Sequence, residues 1–151
     1  MVEIPGLNPL SIQKLIGETG LDMSRWKNHK HFSSWLGLSP NHKITGGKIF
    51  QNKTNKVQSQ AAAVFRMSAL TLSHSDTYLG AFYRKKKAQR GAPKALTAVA
   101  RKIAVIYYTM IRDKKPYTEL GSKYFDEIHK EKAVSQLKKR AKRLGFSLNE
   151  V

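Results

Sequence analysis

The sequence has no cysteine, only ten acidic residues and no long apolar segment. Without cysteine the chain has no disulfide, thiolate nucleophile or cysteine-ligated zinc site, and this fits a reducing cytoplasm. The clearest apolar run, Ile103 to Tyr108, is far shorter than the roughly 20 residues that cross a bilayer. The first residues also lack the basic and apolar regions of a signal peptide. We therefore expect a cytoplasmic protein with no membrane partner.

Acidic residues are scarce beside basic ones: 28 Lys and Arg face 10 Asp and Glu, which gives a net charge of +18 at pH 7. Between Met23 and Arg112 the only acidic residue is Asp76. A surface that serves solubility mixes both signs, whereas an excess of this size is tolerated when a polyanion neutralises it. We therefore expect a nucleic-acid partner, a nucleoid-associated location and an affinity that falls steeply with salt.

The length suits one ordinary domain, and the apolar spacing is mainly helical. We predict a mainly α fold: a compact helical domain with a helix-hairpin-helix-like N-terminal segment, a basic glycine-containing loop and an appended C-terminal helix. The domain is expected to span residues 1–121. Residues 122–151 are expected to form the final helix, which packs on the domain or on a partner.

Capping residues and apolar spacing predict where the helices begin and end. Asn8 followed by Pro9 predicts the start of the first helix, and Asp76 is a candidate cap for the fourth. The second helix is expected over His29 to Leu36 with Phe32, Trp35 and Leu36 facing inward, and the third over Val57 to Leu72. Pro93 begins the core helix, whose apolar positions are Leu96, Val99, Ala100, Ile103, Tyr107, Met110 and Ile111.

The final helix is predicted to have Ser122 as its cap and Gly145 as its stop. Its apolar stripe comprises Ile128, Val134, Leu137, Ala141 and Leu144. Two interpretations are open for the basic run from Lys138 to Arg143. Either it contacts phosphates, or it only complements the helix dipole.

The N-terminal turn from Pro5 to Pro9 resembles the hairpin of helix-hairpin-helix modules, in which backbone amides bind a phosphate. The candidate binding residues are Gly6, Leu7 and Asn8, although Asn8 stands where those hairpins prefer a second glycine. A simple turn that leads into the helix fits equally well.

Basic residues cluster in two places that are candidates for phosphate contact, although charge runs on helices are usually solvated faces. One is the segment 39–56, where Lys43, Lys48, Lys53 and Lys56 are interleaved with turn formers and where Ile44, Ile49 and Phe50 suit a short hairpin. The other comprises Arg84, Lys85, Lys86, Lys87, Arg90, Lys94, Arg101 and Lys102.

Five aromatic residues are candidates either for stacking on bases or for packing in the core. Their helical spacing favours the core. They are Phe65, Phe82, Tyr83, Tyr107 and Tyr108. The five histidines include no HExxH pair, and the acidic residues are too scattered for a two-metal carboxylate centre. We expect no metal site in this chain.

A hydroxyl followed by two glycines, Thr45-Gly46-Gly47, lies between Lys43 and Lys48. Glycines allow backbone amides to approach a phosphate, and the lysines add positive charge. The Thr45 oxygen is therefore a candidate nucleophile. An ordinary glycine turn fits the same residues.

Several motifs occur in a specific order: Ile4-Pro5-Gly6, the run from Trp35 to Pro40, Thr45-Gly46-Gly47-Lys48, Phe65-Arg66-Met67, Lys94, Arg101-Lys102 and Pro116-Tyr117. In this succession nearly the whole chain resembles the C-terminal transposase domain of the insertion-sequence-one-ten family, the RNA-guided bridge recombinases. The resemblance implies that a serine at the position of Thr45 attacks a DNA phosphate. It also implies recurrent basic positions at Lys56, Arg66, Lys94, Arg101 and Lys102, and a glycine at Gly46.

The resemblance implies partners as well: DNA of the element ends or target, a guide RNA, and further protomers in a homo-oligomer. Divalent metal (Mg) is implied only for an N-terminal resolvase-like domain with four acidic ligands, and no cofactor for this chain. Because the chain starts at the Ile4-Pro5-Gly6 motif, we expect it to be inactive in transposition alone. The methyl group of Thr45 also crowds the attacking oxygen, so we expect activity to be reduced or absent.

Other functions remain open from the residues alone. The chain also fits a non-catalytic, nucleic-acid-binding remnant of a truncated transposase, or an unrelated basic RNA-binding module. A third reading is a protein-interaction module that uses the final helix.

Overall fold

A computed structural model of the chain describes residues 4–46 and 48–148, and of residues 41–45 and 48–53 it describes the backbone only. The described residues form six α-helices and one antiparallel pair of strands, so the predicted mainly α class is confirmed. In chain order these are α1 (Pro9–Thr19), α2 (His29–Trp35), β1 (Pro40–Thr45), β2 (Lys48–Thr54), α3 (Gln60–Thr71), α4 (Tyr78–Arg90), α5 (Ala92–Asp113) and α6 (Gly121–Arg143).

Helix α5 is the centre of the core, because α2, α3 and α4 all pack on it, while α1 packs on α3 and α6 on α4. Its residues Val99, Ile103 and Tyr107 recur every four positions and are buried. The Tyr107 ring stacks on Phe32 of α2 at 6.4 Å between centroids and meets Phe65 of α3 edge-on at 5.6 Å. These aromatic contacts join three helices.

Two buried tyrosine hydroxyls of α5 are hydrogen-bonded. The Thr19 hydroxyl donates to the Leu15 carbonyl at 2.8 Å, so the Tyr107 hydroxyl, 3.1 Å away, donates to Thr19. Burial raises the pKa of Tyr107. The Tyr108 hydroxyl donates to the Trp26 carbonyl at 3.0 Å. The polar atoms that α5 brings into the core therefore have partners, as buried groups require.

Several predicted helix ends are confirmed. The Asn8 side chain accepts a hydrogen bond from the Ser11 amide and caps α1. Helix α2 ends with Leu36 as its C-cap. Gly145 follows α6 with φ +81. The aromatic residues Phe65, Tyr83, Tyr107 and Tyr108 are buried, which confirms their place in the core, and Phe82 is half-buried.

Two predicted caps are wrong. Helix α4 is capped by Thr77, whose hydroxyl accepts from the Gly80 amide, because Asp76 instead accepts a hydrogen bond from the Ser122 hydroxyl. Ser122 is not the cap of α6 but its second residue, because the helix begins at Gly121. The start of α6 has no side-chain cap.

Three predicted inward positions also differ. Helix α3 begins at Gln60, so Val57 precedes it and is exposed. Trp35 is 39% exposed, although its ring packs on Trp26 at 5.1 Å. In α6, Ile128 lies on a different side of the helix from Val134, because six residues correspond to about 1.7 turns.

Candidate nucleic-acid interface

The segment predicted as a basic loop is an antiparallel hairpin whose end carries Thr45. The backbone register pairs Thr45 with Lys48 and Ile44 with Ile49, so the hairpin suggested by the isoleucines exists. Thr45 is the last residue of β1, and Gly46 follows it, exposed and with φ +57. Glycine adopts this left-handed conformation without a steric penalty.

Part of this predicted site lies outside the described residues. This applies to the whole of Gly47 and to the side chains of Lys43, Thr45, Lys48 and Lys53. Their predicted contacts with nucleic acid therefore stay predictions.

The base of the hairpin crosses closely over its own chain beside α3. Gly37 has φ +63, and a Cβ there would lie 2.7 Å from the Asn55 carbonyl oxygen and 2.9 Å from Cγ2 of Val57. The Arg66 guanidinium of α3 approaches the Gly37 carbonyl oxygen at 3.5 Å. The Ser39 hydroxyl is buried there without a partner among the described residues. Arg66 thus lies at the base of the element that carries Thr45.

The N-terminal turn uses its polar groups internally. The Leu7 amide donates to the Ile4 carbonyl at 3.1 Å, and the Leu7 side chain is buried. Gly6 has φ +85, and a Cβ there would lie 2.8 Å from the Ser68 carbonyl oxygen. Close packing on α3 accounts for this glycine, and the phosphate contact predicted for Gly6, Leu7 and Asn8 stays a prediction.

Three lysines and three aromatic rings from α4, α5 and α6 form what we call the lysine–aromatic cluster; its members are Tyr78, Phe82, Lys85, Lys86, Lys102 and Phe125. The ring of Phe125 lies 5.1 Å from Tyr78 and 6.2 Å from Phe82. The Lys102 ammonium lies 4.9 Å and the Lys86 ammonium 5.6 Å from the Phe82 centroid.

The Lys85 ammonium completes this cluster at 5.8 Å from the Phe125 centroid. Cation–π attraction offsets part of the repulsion among the three ammonium groups. The cluster therefore concentrates positive charge where three helices meet.

A second group of cations surrounds Gly91, the single residue between α4 and α5. Lys87, Arg90 and Lys94 are exposed there, and the first amides of α5 have no side-chain cap. Uncapped amides and the helix dipole favour anions at this end. Lys87 and Arg90 also complement the C-terminal dipole of α4, so their position has an intrahelical explanation as well.

The remaining predicted cations are separate from these groups. Arg84 donates to the Ser75 carbonyl at 2.8 Å. Lys56 is exposed after β2, and Arg101 is half-buried on α5.

The acidic residues between positions 18 and 119 all form hydrogen bonds or an ion pair within the fold. Glu18 accepts from the Ala61 amide at 2.6 Å, and Glu119 accepts from the amides of Tyr78 and Gly121. Asp22 and Asp76 bind serine hydroxyls. Among the described residues the single ion pair joins Arg112 to Asp113. No described carboxylate is therefore paired with a lysine of the lysine–aromatic cluster.

His129 of α6 reports on this cationic environment. Its ring lies 4.1 Å from the Phe125 ring. Its pKa is lowered by burial and by the positive charges of Lys85, Lys132 and Lys86, with a smaller opposing effect of Asp126. The positive charges of these lysines therefore act on the pKa of the His129 imidazole.

The described residues contain neither a metal site nor a membrane-spanning helix. No three His, Cys, Asp or Glu side chains come together in a way that could hold a metal ion. None of the described helices has the length and apolar character to cross a membrane.

Comparison with known proteins places this chain in a family of transposases. Residues 1–84, more than half of the chain, match the sequence model described as "Transposase IS116/IS110/IS902 family". The chain belongs to this family, which confirms the resemblance seen in its motifs.

Two relatives are pilin gene-inverting proteins, one from Moraxella bovis and one from Moraxella lacunata. Each is 28% identical over 122 residues, which cover 78% of this chain and 37% of the relative. The chain thus spans little more than a third of the length of these relatives. No solved structure matches it significantly.

The sequence did not indicate that the rings of Tyr78 and Phe125 pack beside the lysines of the lysine–aromatic cluster. They are 47 residues apart and belong to different helices, so no local pattern connects them. The available signal was the interleaving of Phe82 with Lys85 and Lys86 at helical spacing.

Proposed function

We propose that this chain is the DNA-binding C-terminal portion of an insertion-sequence transposase or recombinase that acts in DNA transposition. The observation that carries the proposal is the lysine–aromatic cluster, because its cations lack acidic partners among the described residues. A phosphate backbone is the polymer that relieves such charge and releases counterions on binding. The two relatives named for inverting a pilin gene fit this class of reaction.

The cluster and the bend at Gly91 together form the DNA-binding surface in this proposal. Lys85, Lys86 and Lys102 supply charge along the backbone, while Lys94 and the uncapped amides of α5 receive a further phosphate. Contacts of this kind position DNA without reading its sequence. In this proposal the guide RNA that the family resemblance implies selects the DNA sequence. Homo-oligomers bring several DNA strands together.

Thr45 is the nucleophile position in this proposal. Its oxygen forms a bond to a DNA phosphorus while the bond from that phosphorus to the oxygen of the departing strand breaks. The threonine proton passes to water, and the departing oxygen takes up a proton from water, so that the strand leaves with a hydroxyl end. The acidic domain that the family resemblance implies supports this cleavage. This role is supported by the backbone of Thr45, which lies at the end of β1 in the hairpin.

Binding is tested by fluorescence anisotropy of a labelled DNA duplex across a salt series, with a structured RNA of equal length in parallel. We expect the logarithm of the affinity for DNA to fall linearly with the logarithm of salt concentration. A flat response would rule out the phosphate-neutralising role. Exclusive binding to RNA would favour an RNA-binding module.

The nucleophile is tested by supplying the acidic domain of a family member in trans and trapping a covalent protein–DNA adduct. We expect an adduct that is lost in Thr45→Ala and forms faster in Thr45→Ser, because serine lacks the crowding methyl group. An adduct that persists in Thr45→Ala would dismiss Thr45. Absence of an adduct in all three proteins would favour the non-catalytic alternative.

A further inference from the structure

Trp35, the last residue of α2, is the outermost ring of an aromatic stack. The Tyr107 ring lies 6.4 Å from that of Phe32 with 21° between the ring planes, and Phe32 lies 6.2 Å from Trp35 with 26° between the planes. Tyr107 and Phe32 are buried, whereas Trp35 is 39% exposed. The stack therefore runs from the core outward, and its last ring is open to solvent.

A second tryptophan holds the Trp35 ring in place. Trp26 is buried, and its ring centroid lies 5.1 Å from that of Trp35 and 4.9 Å from that of Phe32. The Trp26 carbonyl oxygen accepts a hydrogen bond from the Tyr108 hydroxyl, which anchors this residue to α5. The Trp35 ring is thus an exposed aromatic surface whose orientation is fixed by packing. A ligand that stacks on it has little side-chain entropy to offset.

The residues around this ring are basic and polar. Arg25 and Lys27, on either side of Trp26 in the chain, are exposed, and the Arg25 guanidinium lies 5.2 Å from the centroid of the Trp26 ring. Neither cation forms an ion pair among the described residues. His31 is exposed as well, and it precedes Trp35 by four residues, so both lie on one face of α2.

The acidic residues of the adjoining segments have other partners. Asp22 accepts hydrogen bonds from the amide and the hydroxyl of Ser24. These bonds lower the pKa of Asp22, and the charge of Arg25 adds a smaller effect. Asp113, at the end of α5, pairs with Arg112. Residues 22–27 contain two cations and one carboxylate, so the segment beside the tryptophans has a net positive charge.

This combination favours a nucleobase over a protein as the ligand. A protein-binding surface presents a contiguous apolar patch, whereas the exposed ring of Trp35 has basic and polar neighbours. Proteins bind single strands by stacking unpaired bases on aromatic rings beside cations that contact the phosphates. The spacing of α2 also predicted an inward position for Trp35, and departures from such local patterns are expected at functional sites.

We propose that Trp35 is a stacking platform for an unpaired base of a nucleic-acid strand, and that Arg25 and Lys27 bind the phosphates beside that base. The base extends the stack of Tyr107, Phe32 and Trp35 by one ring. The site is separate from the lysine–aromatic cluster, which binds the DNA backbone in the proposed function. The inference rests on the proposed function for its class of partner, a nucleic acid.

Tryptophan fluorescence tests the stacking directly. A short oligothymidylate should quench the emission of the wild type, whereas an abasic strand with the same number of phosphates should not. In Trp35→Phe the quenching should be lost, because the remaining Trp26 is buried. An oligouridylate in parallel compares RNA with DNA, and the strand that quenches at lower concentration identifies the source of the base. Equal quenching by the abasic strand, or no quenching by either base-containing strand, would overturn the proposal.

Substitution of Trp35 tests its share of the affinity. Trp35→Leu should weaken binding of the single strand by about 5-fold to 150-fold, the range for one stacked base. Trp35→Phe keeps an aromatic face and should retain most of the affinity. Leu70→Ala removes an apolar side chain that is 50% exposed on α3 and should change nothing. Duplex affinity should be the same in all four proteins, because paired bases are already stacked, and this also shows that the variants are folded.

The outcomes separate this inference from the proposed function. Single-strand affinity that is unchanged in Trp35→Leu would contradict the stacking and leave Trp35 as a protein contact, even where duplex binding keeps its salt dependence. A duplex affinity that does not respond to salt, beside single-strand binding that depends on Trp35, would contradict the proposed duplex surface alone.

Discussion

The ammonium of Lys102 lies 3.3 Å from the hydroxyl oxygen of Tyr78 and 4.6 Å from the centroid of its ring. This contact ties the middle of α5 to the first residue of α4, and the Tyr78 ring in turn packs on Phe125 of α6. A cation of the proposed DNA surface is therefore held in place by the fold.

Substitution of Tyr78 separates the two parts of this contact. Tyr78→Phe removes the hydroxyl acceptor and should lower the free energy of unfolding by about 0.5–1.5 kcal/mol. Tyr78→Leu also removes the ring and should cost about 0.5–1 kcal/mol more. Urea denaturation measures both, and Tyr124→Phe on the exposed side of α6 is the control. Equal costs for the two Tyr78 variants would show that the ring contributes nothing.

His129 should respond to bound DNA. Positive charges of Lys85, Lys132 and Lys86 help to lower its pKa, so phosphates that neutralise Lys85 and Lys86 should raise it. NMR titration with and without a short duplex measures the change. The Lys85→Gln/Lys86→Gln variant should start from a higher pKa and respond less. A wild-type pKa that does not rise with saturating DNA would place the phosphates elsewhere.

The sign of the pH dependence follows from the same residue. Because the folded-state pKa of His129 is lowered, its protonation is disfavoured in the native state. Its contribution to stability is therefore present above the unfolded pKa and is lost as the pH falls through the folded pKa. His129→Gln should flatten the decline of stability in this acidic range, as thermal unfolding across pH would show.

Neighbouring residues of α3 give a matched test of the core. Phe65 is fully buried against Tyr107, whereas Met67 is 62% exposed. Phe65→Ala should cost about 3–5 kcal/mol of unfolding free energy, and Met67→Ala less than about 0.5 kcal/mol. Similar values from urea denaturation would contradict the assigned orientation of α3.

Two glycines with positive φ separate conformational strain from steric crowding. Gly91 has φ +83 and ψ 163, a conformation that is essentially restricted to glycine, and open space where a Cβ would be, so Gly91→Ala should cost about 1–3 kcal/mol. Gly37 has φ +63 and no room beside Asn55, so Gly37→Ala should cost more and disturb the base of the hairpin. Denaturant midpoints and amide exchange in β1 measure both effects. A Gly37→Ala cost no larger than that of Gly91→Ala would remove the argument for close packing.

The sequence predicted the elements that depend on local chemistry. The spacing of Val99, Ile103 and Tyr107 predicted the buried face of α5, and Asn8 and Gly145 predicted helix ends. In contrast, Asp76 has the chemistry of a cap, yet the structure uses it to bind Ser122 on α6. Such a contact between residues 46 positions apart overrides the local preference and cannot be read from either segment alone.

The candidate site shows the same division. The excess of cations and their clusters were evident in the sequence, and the motifs around Thr45 predicted the family. The sequence could not show that Lys85, Lys86 and Lys102 share one aromatic cluster, because helix packing brings them together. It also could not show that Glu18 and Glu119 accept hydrogen bonds from backbone amides more than 40 residues away. Among the described residues, the three lysines have no acidic partner.

The most direct test of the central claim is the salt dependence of DNA binding in matched variants. The account predicts that Lys85→Gln/Lys86→Gln reduces the slope of log affinity against log salt by about one unit for each lysine. Lys30→Gln, an exposed lysine on α2, should leave the slope unchanged. If the double variant keeps the wild-type slope, the lysine–aromatic cluster does not hold the phosphate backbone.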